Sequence, residues 1–456
     1  MNVDRMLGFL AIAISAATPV AAEPLARYNA SLNESSISGI SSGGYMAVQF
    51  ATAWSSVIKG VGIVAGGPFW CVRADASDFI TGYLGPIWRA TGSCMKGTSD
   101  LKSADFAAKA DAKAASRDID PLDNLKRQRI YLFHGDNDAL IAKAVTDATA
   151  EFYRHYLDDT NRGNLFYQTA IDSGHALVVS DDAQTGDLNA CNANDSPYIE
   201  RCGYDQAGVI LQHIYGALNP PNRGQLKGAL KQFDQSPYTR PRAPDALSLG
   251  EAGHVFVPDD CARGEACRVH IALHGCKQDV SKVGRRFVEK AGYNAWADTN
   301  SIIVLYPQAR SSWYRPYNPQ GCWDWWGYVD YTDNYVTKSG AQIAAIKAML
   351  DSVTGGAGVP SDISGGASST LEVIDRSDTA AALAWKPLAG ATIYRISRAG
   401  ADGQFVLAGE TKGLGFADSG LAPRTTYSWR ISAVVNGVEG SPFANVTATT
   451  RPTPAP

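Results

Sequence analysis

A glycine-framed serine, Gly39-Ile40-Ser41-Ser42-Gly43, stands between a β-prone segment at residues 35–38 and an amphipathic, helix-like segment at residues 45–54. The G-x-S-x-G pattern needs that strand–turn–helix setting, because the chain reverses within a few residues and glycines leave room for it. Short apolar runs of buried-strand length follow at residues 60–65, 130–133, 165–170, 269–273 and 302–306. Helical stretches, among them residues 144–156 and 342–350, intervene or follow. The alternation predicts an α/β fold with a mostly parallel sheet.

The 456 residues exceed one ordinary core. With 45% hydrophobic and 19% charged residues, the chain buries a sizeable core rather than staying disordered. Forty-one Lys and Arg against 45 Asp and Glu leave a net charge of −4, which argues against a nucleic-acid partner. No apolar run reaches the roughly 18–20 residues of a bilayer span. Residues 1–22 read instead as a secretory signal peptide, with Arg5, an apolar stretch at 7–17, and Val20-Ala21-Ala22 before cleavage at Glu23. The expectation is a secreted, extracellular protein, monomeric and without a cofactor.

Eight cysteines follow, an even count that in an exported chain points to four disulfides. Pairing nearest neighbours gives Cys71–Cys94, Cys191–Cys202, Cys261–Cys267 and Cys276–Cys322. There is no C-x-x-C, and the scattered spacing does not suit a zinc site, so no metal is expected.

A serine is a weak nucleophile unless a base, itself held by an acid, takes its proton. After the run at 130–133 comes His134-Gly135-Asp136-Asn137-Asp138-Ala139-Leu140-Ile141. Asp136 and Asp138 both lie where a strand end would present an acid. The G-x-x-D-x-x-hydrophobic pattern selects Asp138 and leaves Asp136 as a solvated turn residue. After the next run, Asp172-Ser173-Gly174-His175-Ala176 offers His175 as the base, while His155 and His213 read as helix-face residues. The order Ser41…Asp138…His175 is that of α/β-hydrolases.

In such a fold several strands normally precede the nucleophile, yet only about 18 residues separate Ser41 from the expected cleavage site. The run at 269–273 leads into His274-Gly275-Cys276, a strand-then-HG segment of the kind that supplies a second oxyanion-hole amide from upstream. Here it lies downstream, before an expected helix at 282–299. A circularly permuted sheet, its early strands encoded last, is therefore expected. Ser42 and Cys276 would donate the two oxyanion amides. A Cys276–Cys322 bridge would pin that loop to Gly321-Cys322-Trp323-Asp324-Trp325-Trp326-Gly327-Tyr328. These aromatics form either a buried cluster or an apolar wall for an acyl chain. On a strand Trp323, Trp325 and Trp326 cannot all face inward, so some exposure is expected. His274 reads as structural.

The organisation expected is a catalytic domain at 23–354, a Gly/Ser/Pro-rich linker at 355–369, a β domain at 370–451 and a tail at 452–456. The β domain resembles a fibronectin type III module. Trp385 and Tyr394 match its core aromatics, and Leu421-Ala422-Pro423-Arg424-Thr425-Thr426-Tyr427 matches its L-x-P-x-T-x-Y corner.

The Ser41 turn, the late Leu273-His274-Gly275-Cys276 segment and this module together resemble extracellular poly(3-hydroxybutyrate) depolymerases whose lipase box lies near the N-terminus of the catalytic domain. The resemblance implies a secreted serine esterase that hydrolyses an insoluble polyester to short 3-hydroxybutyrate oligomers, its tryptophans lining monomer subsites. In that family the module usually leads to a separate substrate-binding domain, whereas this sequence ends at Pro456. The expectation is then action on amorphous or soluble chains, or adsorption through exposed aromatics of the catalytic domain. Two other functions fit the residues: a carboxylesterase for acetylated or feruloylated polysaccharide, and a non-catalytic polymer-binding protein.

Overall fold

The computed structural model describes residues 24–72, 84–98, 101–181, 187–314, 316–355, 371–385, 388, 391–400, 403–435, 438–439 and 444–452. The expected signal peptide and nearly all of the expected linker and tail lie outside the described residues. The chain divides into two compact units at residues 359/360.

The first unit is built on an eight-stranded sheet. Its strands are β1 (Ala30–Ile40), β2 (Ile58–Val64), β3 (Arg129–Phe133) and β4 (Leu165–Gln168), then β8 (Ala229–Asp234), β9 (Ala252–Val257), β10 (Cys267–Leu273) and β11 (Ile302–Tyr306). A small separate sheet holds β5 (Leu177–Val179), β6 (Asn189–Ala190) and β7 (Ile199–Arg201). The large sheet runs β4-β3-β2-β1-β10-β11-β9-β8. From β4 to β11 every pairing is parallel, while β9 is antiparallel to β11 and β8 to β9. All four strands on one side of β1 are thus encoded after it, and Gly39 pairs with Leu273 and with Ile63. This is the permuted α/β-hydrolase arrangement expected from the late HG segment.

Successive strand residues serve opposite faces. Ile63, Leu132, Leu273 and Leu305 join one core with helix α1 (Ser42–Ala53), while Val64, Phe133, Ala272 and Val304 join the other with the helix Gln206–Tyr215. The central strand β1 carries buried serines in place of aliphatics. Ser36 and Ser38 meet His270 of β10 at 2.7 and 2.8 Å, and their hydroxyls also reach Tyr215 and Tyr293, both at 2.7 Å. Burial pushes the His270 pKa down to about 3, so the ring stays neutral. A neutral imidazole has one donor and one acceptor nitrogen, which the two hydroxyls satisfy, so the pairing reads as a register lock between the strands.

The expected helix at 282–299 is three short ones, Val280–Val283, Arg286–Lys290 and Tyr293–Ala297. Gly284 (φ 61°) and Gly292 (φ 90°) turn the backbone left-handed between them, which a continuous helix does not allow. Among the described residues no helix is long and apolar enough to cross a membrane. The cysteines pair as Cys71–Cys94, Cys191–Cys202, Cys261–Cys267 and Cys276–Cys322. Each bridge stabilises by about 2–4 kcal/mol through restriction of the unfolded chain.

The second unit is a two-sheet antiparallel sandwich of the fibronectin type III class. One sheet is β12 (Leu371–Arg376), β13 (Ala380–Trp385) and β16 (Gly415–Ser419). The other contains β14 (Ala391–Ala399), β15 (Val406–Thr411), β17 (Thr426–Val435), β18 (Val438–Glu439) and β19 (Ala444–Thr449). Trp385, Tyr394 and Trp429 fill its core. The Ala422 amide donates to the Tyr427 hydroxyl at 3.0 Å, the corner expected from the motif.

Candidate active site

Strand β1 ends at Ile40 and α1 begins at Ser42, so Ser41 alone makes the turn, at φ 55° and ψ −125°. A side chain held there costs on the order of 1–3 kcal/mol, which the surroundings must offset. Two bonds hold it: the Ser41 amide donates to Val64 O at 2.9 Å and its carbonyl accepts from Tyr45 N at 3.0 Å. The flanking glycines are sterically required. A Cβ on Gly39 would lie 2.2 Å from Gly43 O, and one on Gly43 would lie 2.4 Å from His274 O.

Asp138 follows β3 and His175 follows β4, at the edge of the sheet where the parallel strands end. His175 Nδ1 lies 2.9 Å from Asp138 Oδ2, and both side chains are almost wholly shielded from solvent. A carboxylate only accepts, so Nδ1 carries the proton and Nε2 is the ring's acceptor. Asp138 Oδ1 accepts from the amides of Leu140 and Ile141, each at 2.8 Å. Burial raises the Asp138 carboxyl, but the His175 ring and those two amides outweigh it and hold it below the ordinary carboxylate value. Asp136 is exposed, as a turn residue. His134 donates from Nε2 to Ile141 O at 3.0 Å and so closes the acid's loop. His213 sits on its helix and donates to Asn164 O.

Ser41 is the one member not joined by a hydrogen bond: among the described residues its hydroxyl makes none. It does lie against the HG loop, since a Cβ on Gly275 would come 3.3 Å from Ser41 Cβ. Catalytic hydrogen bonds are commonly long before substrate binds and tighten in the complex.

The HG loop is rigidly tied. The Ala309 amide donates to His274 Nε2 at 3.1 Å, so the proton is on Nδ1, which donates to Gly275 O at 2.7 Å. Burial pushes the His274 pKa down and keeps this neutral form. The carbonyl and N–H of a trans peptide point oppositely, so fixing Gly275 O also fixes the direction of the Cys276 amide. The neighbouring amides are taken: Gly275 N by Gln278 Oε1 and Lys277 N by Gln320 O, both at 2.7 Å. The Cys276 amide, beside Ser41, and the first amide of α1, that of Ser42, carry no such bond among the described residues.

The tryptophans depart from expectation. Residues 322–331 form turns rather than a strand, and none of the three is exposed. Trp323 is fully buried, donates from its indole to His274 O at 3.0 Å, and backs the HG loop rather than lining a wall. Trp325 packs on Tyr45 with ring centroids 4.4 Å apart, and the half-buried Trp326 meets Trp325 edge-on. Asp324 curls this segment by accepting from the Tyr328 and Val329 amides at 2.9 and 3.3 Å.

Burial raises the Asp324 pKa to about 7. A carboxyl raised on folding binds more protons folded than unfolded, so its contribution is full below about pH 4 and is lost as pH rises through about 7. The wild-type melting temperature is expected to fall relative to that of Asp324→Asn between about pH 5 and about pH 8. Parallel melting curves at every pH would refute this.

Three groups here gave no motif. Asn194 and Glu200 lie 19 and 26 residues from the backbone amides of His175 and Gly174 that they hold, and Gln278, close to Cys276 in sequence, also reaches the Pro197 and Tyr198 carbonyls 81 and 80 residues away, a pattern no local spacing announces. Two clusters have metal-like composition, Cys191/Glu200/Cys202 and Asp260/Cys261/Cys267. In each the cysteines are joined as a disulfide, so no thiolate is available to ligate.

No family model matches the chain. It is 36% identical over 419 residues to a poly(3-hydroxybutyrate) depolymerase of Delftia acidovorans, covering 90% of this chain and 78% of that one. It is also 36% identical over 350 residues to a polyhydroxybutyrate depolymerase of Talaromyces funiculosus, covering 75% and 95%. Among solved structures, the PHB depolymerase from Penicillium funiculosum matches with a TM-score of 0.63 and 33% identity, over 73% of this chain and 99% of that one. A serine-to-alanine variant of PHB depolymerase complexed with R3HB trimer matches equally. An identity of 36% along nine-tenths of the sequence, with the same fold, makes this chain a member of the poly(3-hydroxybutyrate) depolymerase family.

Proposed function

We propose that this protein is a secreted serine esterase that cleaves poly(3-hydroxybutyrate) or a related polyhydroxyalkanoate to short hydroxyacid oligomers through an acyl-enzyme. The observation that carries the reading is the buried Asp138–His175 pair, together with a serine held in a strained turn where β1 of the same sheet ends. His175 Nε2 takes the Ser41 proton as Oγ attacks the ester carbonyl. The Ser42 and Cys276 amides receive the oxyanion, each such donor being worth about 10²–10³ in rate. His175 then protonates the leaving alcohol, and water, deprotonated by the same ring, releases the acid and restores Ser41. Asp138 stays ionised throughout and stabilises the imidazolium. In this reading the half-buried Trp326, packed edge-on against Trp325, lines a monomer subsite.

Adsorption to polymer is carried by Trp313 and Tyr314, both largely exposed, on the stretch whose Gln320 carbonyl holds the Lys277 amide. Export follows residues 1–22 and the four disulfides, with a mature N-terminus at Glu23 and a monomeric enzyme. Clearing of a poly(3-hydroxybutyrate) suspension, run beside acetylxylan, tests the substrate. Clearing with soluble hydroxybutyrate oligomers is the expected result. Acetate release from xylan without clearing would overturn it.

A further inference from the structure

One loop outside the three site residues touches the segments that carry the acid, the base and an oxyanion amide. It runs from Cys191 to Cys202 and is closed by their disulfide. Asn194 Oδ1 accepts from His175 N at 2.7 Å and from Ala139 N at 3.1 Å, and its Nδ2 donates to Asn137 O at 2.8 Å. One amide side chain therefore bridges the backbone on both sides of Asp138 and the backbone of His175. Beneath it Glu200, fully buried, accepts from the amides of Gly174, Asn192 and Asn194 at 2.8–3.0 Å. The Pro197 and Tyr198 carbonyls accept from Gln278 Nε2 at 2.9 and 3.2 Å, and Gln278 Oε1 holds Gly275 N. The fit is close: a Cβ on Gly174 would lie 2.6 Å from Asn194 Nδ2.

Asp138 and His175 leave different strands; backbone bonds join the residues before them, Asp136 N to Ile171 O at 3.0 Å and Asn137 N to Ser173 O at 2.9 Å, and the single carboxylate–imidazole bond fixes the distance between the two side chains but not the orientation of the loop tips. Asn194 removes that freedom. We infer that Asn194 is a positioning residue that docks the Asp138 and His175 loops as one unit, in register with the Gln278-held HG loop. This rests on the catalytic roles proposed above. Displacement of a reacting group by about 1 Å costs on the order of 10² in rate.

Asn194 has φ 52° and Asn192, on the same loop with an exposed side chain, has φ 65°. Glycine adopts both without strain, so Asn194→Gly removes only the side chain and Asn192→Gly is its matched control. The assay is kcat and KM on a soluble hydroxybutyrate ester, per site counted by exhaustive fluorophosphonate labelling. For Asn194→Gly, kcat per labelled site is expected to fall about 10- to 100-fold with KM within about twofold, and Asn192→Gly to stay near wild type. Asn194→Asp keeps the accepting oxygen for both amides and should recover part of the loss. Equal per-site kcat in the two glycine variants, or a loss explained entirely by fewer labelled sites, would overturn the inference alone. A wild-type enzyme that takes no label overturns the catalytic reading and the inference with it.

Discussion

Ser41→Ala is expected to lower kcat on a soluble hydroxybutyrate ester by on the order of 10⁶ while leaving the melting temperature unchanged. Both halves follow from the same geometry. The Ser41 hydroxyl makes no hydrogen bond among the described residues, so its removal costs the resting fold nothing. Alanine keeps the β-carbon and meets the same backbone at φ 55°, so the strain of the turn is unchanged as well. What vanishes is the proposed nucleophile, and with it the acyl-enzyme route. The adjacent Ser42→Ala should behave oppositely. Its proposed role is through the backbone amide, which alanine retains, and its hydroxyl accepts only a 3.3 Å bond from Trp323 N. Adjacent serines with such different sensitivities would separate a nucleophile from a donor. Steady-state rates on both variants, with melting curves, measure this. Wild-type turnover by Ser41→Ala would remove Ser41 from the chemistry.

The parts of this structure that could be read along the chain are those whose cause is local. The strand-turn-helix about Ser41, and the Asp138 carboxylate after β3 that meets the His175 ring after β4, each follow from a few consecutive residues. So do the four cysteine pairs, whose partners are nearest neighbours in sequence. The circular permutation was readable because the HG segment comes on the wrong side of the serine. Elsewhere the cause is distant. β1 is longer than its β-prone core at 35–38, because Ala30 and Gly39 on either side of it pair with Cys267 and Leu273 of β10, more than 230 residues away. The Trp323–Tyr328 segment has the composition of an alternating strand, but Asp324 draws the amides of Tyr328 and Val329 onto itself and winds it into turns. Asn194 acts through backbone groups of other loops, and Gln278 ties its own Gly275 amide to the distant Pro197 and Tyr198 carbonyls, so neighbours in sequence do not announce either role. Composition reports a cluster of tryptophans and does not report that Trp323 faces the back of the HG loop.

Gly43→Ala is expected to be among the most damaging single methyls in the first unit. A Cβ there would lie 2.4 Å from His274 O, 2.6 Å from Leu273 O and 2.9 Å from Leu273 C. All three are backbone atoms, so no side chain can swing aside. Relief requires α1 to lift from the end of β10, yet β10 is paired to β1 through Gly39 and Leu273 and locked to it by the His270–serine bonds. Overpacking of a well-filled core costs about 1–3 kcal/mol, and with backbone on every side the expected loss is at the top of that range or beyond it. Activity should fall further than stability, because the displaced His274 carbonyl, held by the Trp323 indole, lies one peptide ahead of the Gly275 carbonyl that His274 Nδ1 holds and that sets the direction of the Cys276 amide. Gly44→Ala gives a graded comparison, its nearest contact being Val64 O at 3.0 Å, and Gly163→Ala meets nothing within 4 Å. Urea unfolding should therefore rank Gly163→Ala near wild type, Gly44→Ala lower and Gly43→Ala lowest. A Gly43→Ala protein as stable and as active as Gly163→Ala would mean that α1 does not press on the backbone of Leu273 and His274.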